Sequence, residues 1–115
     1  MNKKTDEYFG KEVKSFIKDF FETLMLEERK QHLENTPFDK GNGYYQRDLT
    51  TSMAHVNDLN VPRTRSGEFN PVILPERRRA SFDLEELVFA MYVGGSSTRD
   101  ISRFIEKVYS ASLGR

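Results

Sequence analysis

The chain contains no cysteine, and its two histidines, His32 and His55, lie far apart in the sequence. Disulfide bonds and cysteine-based zinc sites are therefore excluded, and a histidine-based metal site is disfavoured. No apolar run approaches the ~18 residues of a membrane-spanning helix, and the first twenty residues carry no signal-peptide pattern. We expect a cytoplasmic protein with no membrane partner and with no cofactor bound by this chain.

The chain also carries no net charge, because 18 basic residues balance 18 acidic ones. This balance argues against a strongly basic nucleic-acid coat, but the charges are unevenly distributed. Residues 61–79, here called the basic arm, have a charge of +3 and contain three prolines that favour an extended chain. The five arginines of the basic arm have guanidinium groups that suit phosphate: Arg63, Arg65, Arg77, Arg78 and Arg79.

Two interpretations of the basic arm stay open. Its arginines either contact DNA phosphates or belong to a solvated loop, where they pair with Asp48, Asp58 or Glu68.

Apolar residues between Phe9 and Leu24 recur at the spacing of an amphipathic helix. This helix is predicted to end at Asn35-Thr36-Pro37, because proline disfavours helical geometry in the residue before it. The apolar stripe packs either within the chain or against a second subunit. Its members are Phe9, Val13, Phe16, Ile17, Phe20, Phe21 and Leu24. The opposite face is predicted to carry Lys11, Lys14, Lys18, Asp19 and Glu22.

The middle of the chain favours a small β-hairpin. Residues 39–43 are predicted as a turn, followed by β-favouring residues at 44–53 and 56–61. Pro62 is predicted to end the second strand or to lie at an edge. Residues 72–74 are predicted as a short third strand or an apolar plug.

Tyr44 and Tyr45 open the first of these strands. Neighbouring side chains on a strand point to opposite faces, so only one of the two tyrosines is expected to enter a core. The pair either anchors the hairpin against the first helix or leaves one ring free to stack on a base or sugar.

Two further helices are predicted between residues 82 and 109, where apolar residues again follow helical spacing. Gly94-Gly95 separates them, as expected for a helix end in left-handed geometry. Ser97 and Asp100 fit a capping box at the start of the last helix. The acidic residues at the start of the helix before it are explained by the helix dipole rather than by catalysis.

Three blocks of this sequence resemble, in order and spacing, the N-terminal region of bacterial Mutator-type transposases. The blocks are Gly41-Asn42-Gly43-Tyr44-Tyr45-Gln46-Arg47-Asp48-Leu49, Val61-Pro62-Arg63-Thr64-Arg65-Ser66-Gly67-Glu68-Phe69 and Ser97-Thr98-Arg99-Asp100-Ile101. The resemblance implies binding to insertion-sequence ends in support of DNA transposition. It also implies that a base-reading third helix and a metal-dependent catalytic domain lie downstream, so that this chain is expected to lack both and to have no enzymatic activity.

The expected fold class is α+β. It divides into an amphipathic helical segment (residues 1–37), a β-hairpin with the basic arm (38–80) and a helix pair resembling an incomplete helix-turn-helix unit (81–115). The expected function is DNA binding by the N-terminal part of a transposase. The candidate DNA contacts are the five arginines of the basic arm together with Tyr45, Arg47, Arg99 and Arg103.

A rival interpretation makes the chain an interaction module. In that case it forms homo-oligomers, or dimerises with full-length transposase and inhibits it. The surfaces available are the apolar stripe of the first helix and the exposed faces of the helix pair.

Overall fold

A computed structural model describes residues 3–51, 54–71 and 82–113 of the chain. In chain order these residues form a long helix α1 (Lys3–Glu34), strands β1 (Gly41–Thr50) and β2 (His55–Thr64), and helices α2 (Phe82–Val93) and α3 (Thr98–Leu113). This mixture confirms the predicted α+β class. The predicted strand or plug at residues 72–74 lies outside the described residues. None of the described helices is both long and apolar enough to cross a membrane.

Helix α1 contains 32 residues, which corresponds to ~48 Å at the rise of an α-helix. It ends where the sequence predicts. The Asn35 amide donates to the carbonyls of Gln31 and His32, and the Asn35 side chain caps the Gln31 carbonyl at 2.9 Å. Pro37, which cannot continue a helix, follows at once.

The apolar stripe of α1 is buried inside the chain. Phe20 and Phe21 are 1% and 0% exposed, and their rings meet edge to face with centroids 5.8 Å apart. The subunit interface considered for this stripe therefore does not include these two rings. One hydrophobic core draws on both strands and all three helices: Ile17, Phe20, Phe21, Leu24, Met25, Leu49, Val56, Leu59, Val61, Val88, Ile101 and Ile105.

Helix α1 runs parallel to β2, and polar side chains at the flank of its stripe follow the strand. Three of them, one helical turn apart, reach residues of β2 in the same order along the chain: Lys14 to Asn57 (3.4 Å), Lys18 to Asp58 (3.2 Å) and Glu22 to the amide of Asn60 (2.8 Å). Their predicted position on the opposite face of the helix is therefore wrong. The strand lies alongside the helix, so side chains bordering the stripe reach it as well.

Strands β1 and β2 form an antiparallel hairpin, as predicted. Gly41 and Gly43 belong to β1 instead of the predicted turn. Gly43 has a φ of 68° and occupies an irregularity in the ladder, where glycine meets no steric penalty. Strand β2 continues through Pro62 to Thr64, so Pro62 does not end it. The described sheet has two strands, so Pro62 lies on an edge strand, where the missing amide hydrogen is tolerated.

The connection between α2 and α3 is fixed by hydrogen bonds at both helix ends. Gly95 has a φ of 74°, and the amides of Gly95 and Ser96 donate to the carbonyls of Tyr92 and Met91. This is a Schellman motif. Ser97 and Asp100 then exchange hydrogen bonds of 2.8 and 3.2 Å in the predicted capping box. The helix pair is thus confirmed, whereas its resemblance to a helix-turn-helix unit stays a prediction.

Candidate nucleic-acid interface

The hairpin has a closed end and an open end. Thr51 and Ala54 close one end with mutual hydrogen bonds of 2.8–2.9 Å. At the open end the chain enters β1 and leaves β2, beside the last turns of α1. Six exposed side chains at this end form what we call the open-end surface: Phe38, Lys40, Tyr44, Tyr45, Arg63 and Arg65.

The buried carboxylate of Asp39 anchors the open end. Its Oδ2 lies 2.7 Å from His32 Nε2 and accepts a 2.7 Å hydrogen bond from Ser66 Oγ. Its Oδ1 accepts from the amides of Ser66 (3.0 Å) and Lys40 (2.9 Å). We call His32, Asp39 and Ser66 the Asp39 clasp, because they join α1, the start of β1 and the segment after β2.

The clasp keeps Asp39 ionised. Burial alone raises the pKa of the Asp39 carboxyl, but the hydrogen bonds from His32 and Ser66 outweigh burial and hold the pKa well below its usual range. The arrangement differs from that of a serine hydrolase, in which histidine stands between serine and aspartate. Here the carboxylate stands between the other two, which suits anchoring rather than proton transfer from the serine.

Arg29 of α1 holds the open end from the helix side. Its Nη1 donates to the carbonyl of Arg63 at 3.2 Å and to that of Gly43 at 3.5 Å. The guanidinium carbon lies 5.4 Å from the centroid of the Tyr44 ring, which is a cation–π distance. A Cβ atom at Gly41 would come within 3.4 Å of this carbon, so glycine leaves room for the guanidinium group.

Three of the predicted DNA contacts meet at the open end: Tyr45, Arg63 and Arg65. The Arg65 amide donates to the Lys40 carbonyl at 2.7 Å, which fixes the two residues side by side. Among the described residues, neither Arg63 nor Arg65 forms an ion pair with a carboxylate. Asp58, one of the acidic partners considered for them, pairs with Lys18.

The tyrosines differ from expectation. Tyr44 and Tyr45 pair with Pro62 and Val61 across the hairpin, and such consecutive positions face opposite sides of the sheet. Neither enters the core, since their exposed fractions are 52% and 43%. Their cross-strand partners Pro62 and Val61 are both buried, and Val61 belongs to the hydrophobic core.

The remaining predicted contacts lie elsewhere. Arg47 is half-buried, and its Nε donates to the carbonyl of Asp48 at 3.1 Å. Arg99 and Arg103 are exposed one turn apart on α3, on either side of Asp100 in sequence. Hydrogen bonds from Ser97 lower the pKa of Asp100, and the positive charges of Arg103 and Arg99 add to this effect. Together they outweigh burial, which raises the pKa. Arg77, Arg78 and Arg79 lie outside the described residues.

Several residues of this site escape sequence reasoning. Phe38 and Lys40 directly precede the block that begins at Gly41, and that proximity is the one signal that could have found them. Arg29, His32 and Asp39 carry no local signal, because their partners are distant in sequence. Among the residues described, no group of three or more histidine, cysteine, aspartate or glutamate side chains is placed to hold a metal ion.

Residues 2–115 match the family described as Transposase, Mutator family. The chain belongs to the Mutator family of transposases. The resemblance carried by the three sequence blocks is thereby confirmed.

Mutator-family relatives include the transposase for insertion sequence element IS905 of Lactococcus lactis. It is 35% identical over 112 residues, which cover 90% of this chain and 27% of that protein. The transposase for IS256 in transposon Tn4001 of Staphylococcus aureus is 30% identical over 109 residues, covering 89% of this chain and 28% of that protein. The chain thus spans less than a third of the length of these curated relatives.

Proposed function

We propose that this chain binds DNA at the ends of an insertion sequence, through the open-end surface, as the N-terminal part of a Mutator-family transposase. The observation that carries the proposal is the exposure of Arg63 and Arg65 beside Lys40 on a backbone locked by Asp39. The names of the relatives, which are transposases for insertion sequences, support DNA as the ligand.

The rigidity of the open end favours phosphate binding. Long arginine side chains lose rotamer freedom when they bind, and a flexible backbone would add to that entropic cost. At the open end Arg29 holds the Arg63 carbonyl and the Lys40 carbonyl holds the Arg65 amide, so the backbone is fixed beforehand. A two-stranded ribbon also has dimensions that a DNA groove admits.

The test is the salt dependence of binding to duplex DNA. Each phosphate contact contributes about 0.9 to the slope of log affinity against log salt concentration. The double variant Arg63→Gln/Arg65→Gln should bind more weakly and with a slope smaller by about 1.8. The matched control is Lys11→Gln/Lys107→Gln, which removes the same charge from exposed positions on α1 and α3. Its slope should stay close to that of the wild type.

Two outcomes contradict the proposal. One is a wild-type chain without salt-sensitive DNA binding, and the other is an equal loss of slope in both double variants. The latter would mean that general charge, not the open end, determines affinity. Arg99→Gln/Arg103→Gln measures whether α3 adds backbone contacts. Replacing Arg77, Arg78 and Arg79 with Ala measures the second half of the basic arm, with a slope change of up to about 3.

We propose further that the chain neither cuts nor joins DNA by itself. The proposal rests on the share of the relatives' length that it spans and on the expected downstream position of the catalytic domain. Purified chain should leave supercoiled plasmid intact with magnesium or manganese. Metal-dependent nicking that disappears in Glu85→Gln or Glu86→Gln would overturn this statement.

Self-association is a second candidate function, favoured by an apolar pair on α2. Phe89 and Val93 lie one turn apart and are 53% and 67% exposed. This pair replaces the buried phenylalanines of α1 as the candidate interface. Val93→Asp should then convert a dimer into a folded monomer in sedimentation experiments, whereas a monomeric wild type at all concentrations would exclude the candidate.

A further inference from the structure

Three aromatic side chains are displayed on the open-end surface. Phe38 is 69% exposed, Tyr44 52% and Tyr45 43%. Large aromatic side chains usually contribute to a core, and a phenylalanine ring has no polar group that water could satisfy. Their grouping within eight residues, beside three cationic side chains, calls for a ligand with flat faces and negative charge.

The backbone around Phe38 is fixed. The Asp39 amide donates to the Thr36 carbonyl at 3.0 Å, and the Asp39 carboxylate is held in the clasp. The ring therefore projects from an ordered turn. Tyr44 is likewise steadied, because the guanidinium of Arg29 lies over its ring and is itself held by the Arg63 carbonyl.

We infer that the exposed rings of Phe38, Tyr44 and Tyr45 stack on unpaired nucleotides at the open end, with Tyr44 and Tyr45 reaching bases on opposite sides of the hairpin. The inference rests on the proposed DNA-binding function and specifies the form of the DNA. Proteins that bind single strands combine a cationic path for the backbone with aromatic rings on which bases stack. Lys40, Arg63 and Arg65 supply the cations. In an intact duplex each base is already stacked on its neighbours, so the rings gain a partner only where the strands are separated.

The experiment compares two triple variants of the full chain. Phe38→Leu/Tyr44→Ile/Tyr45→Ile removes the rings but keeps apolar side chains, with β-branched residues in the strand. Phe38→Tyr/Tyr44→Phe/Tyr45→Phe keeps all three rings. The probes are a fluorescein-labelled duplex, the same duplex with a short unpaired bubble, and a single-stranded oligothymidylate. Thermal melting of each variant without DNA establishes that it is folded.

The wild type and the ring-keeping variant should prefer the bubble and the single strand over the duplex. The ring-removing variant should lose this preference by roughly fivefold or more. Its salt slope on the duplex should stay that of the wild type, because Lys40, Arg63 and Arg65 are unchanged. The chain has no tryptophan, so tyrosine emission can report the contact. It should be quenched by oligothymidylate in the wild type.

Equal binding of duplex and bubble by the wild type would overturn the inference, and so would an unchanged preference in the ring-removing variant. In either case salt-sensitive duplex binding would still support the proposed function. Failure of the wild type to bind any of the probes would overturn both.

Discussion

Asp39 Oδ2 accepts a hydrogen bond of 2.7 Å from Ser66 Oγ, although 27 residues separate the two in sequence. The same oxygen lies 2.7 Å from His32 Nε2, and the His32 ring packs against Phe69 with centroids 5.3 Å apart. One carboxylate thus sets where the chain enters the hairpin and where it leaves. The positions of Lys40 and Arg65 depend on it.

Asp39→Asn should lower the melting temperature at neutral pH. The carboxylate has four hydrogen-bond partners, whereas an asparagine amide carries no charge and has only one acceptor oxygen. The effect should depend on pH. The folded pKa of Asp39 lies below its unfolded value of about 3.9, so the unfolded chain binds more protons in acid. The stabilisation by the carboxylate is then complete above about pH 4 and is lost as pH falls towards the folded pKa.

Thermal melts from about pH 7 to about pH 2 provide the measurement. The difference in melting temperature between wild type and Asp39→Asn should shrink as the solution becomes acidic. Ser66→Ala is the companion variant. It removes one donor to the carboxylate and so raises the folded pKa towards the unfolded value. Its acid-induced loss of stability should therefore be smaller than in the wild type and should end at a higher pH. A difference that stays constant with pH would argue against the ionised clasp.

Phe20→Ala should lower the free energy of unfolding by about 3–5 kcal/mol, because it opens a cavity in a close-packed core. Urea denaturation followed by circular dichroism measures this change. The control is Phe89→Ala, at an exposed position of α2. It should change the free energy of unfolding by less than about 0.5 kcal/mol. Similar effects at the two positions would contradict the burial of Phe20 inside the chain.

Gly95→Ala should destabilise the chain by about 1–2 kcal/mol, because an L-residue is strained at a φ of 74°. Gly10→Ala should have the opposite sign. Gly10 lies within α1, where an added methyl group meets no atom within 4 Å, and alanine favours a helix interior by about 0.5–1 kcal/mol. The pair of denaturation curves therefore tests whether the turn requires a left-handed residue.

Local patterns in the sequence predicted the local parts of the fold. The end of α1, the Gly94-Gly95 break and the Ser97–Asp100 capping box each depend on residues within one helical turn. The extent of the two strands depends instead on contacts between residues that are distant in sequence. Pro62 fits within β2 because a strand of a two-stranded sheet is an edge strand, and Gly43 fits within β1 because its left-handed φ suits an irregular ladder.

In the candidate site, too, some residues were predicted from local patterns and others were not. Arg63, Arg65 and Tyr45 were predicted because their residue types and block spacing resemble a family pattern. The clasp was not, because His32, Asp39 and Ser66 lie seven and 27 residues apart and no period connects them. Lys14, Lys18 and Glu22 were placed on the wrong face, since helical periodicity cannot tell on which side a later strand will lie.

A ribosome makes α1 well before the strand that covers it. The side-chain contacts between α1 and β2 join residues 34–43 positions apart. While β2 is still being translated, Phe20 and Phe21 have no partner surface, and an amphipathic helix alone is only marginally stable in water. The nascent chain therefore carries the apolar stripe of α1 uncovered at least until β2 has left the exit tunnel. We therefore expect helix and hairpin to fold together after β2 has emerged, instead of stepwise from the N-terminus.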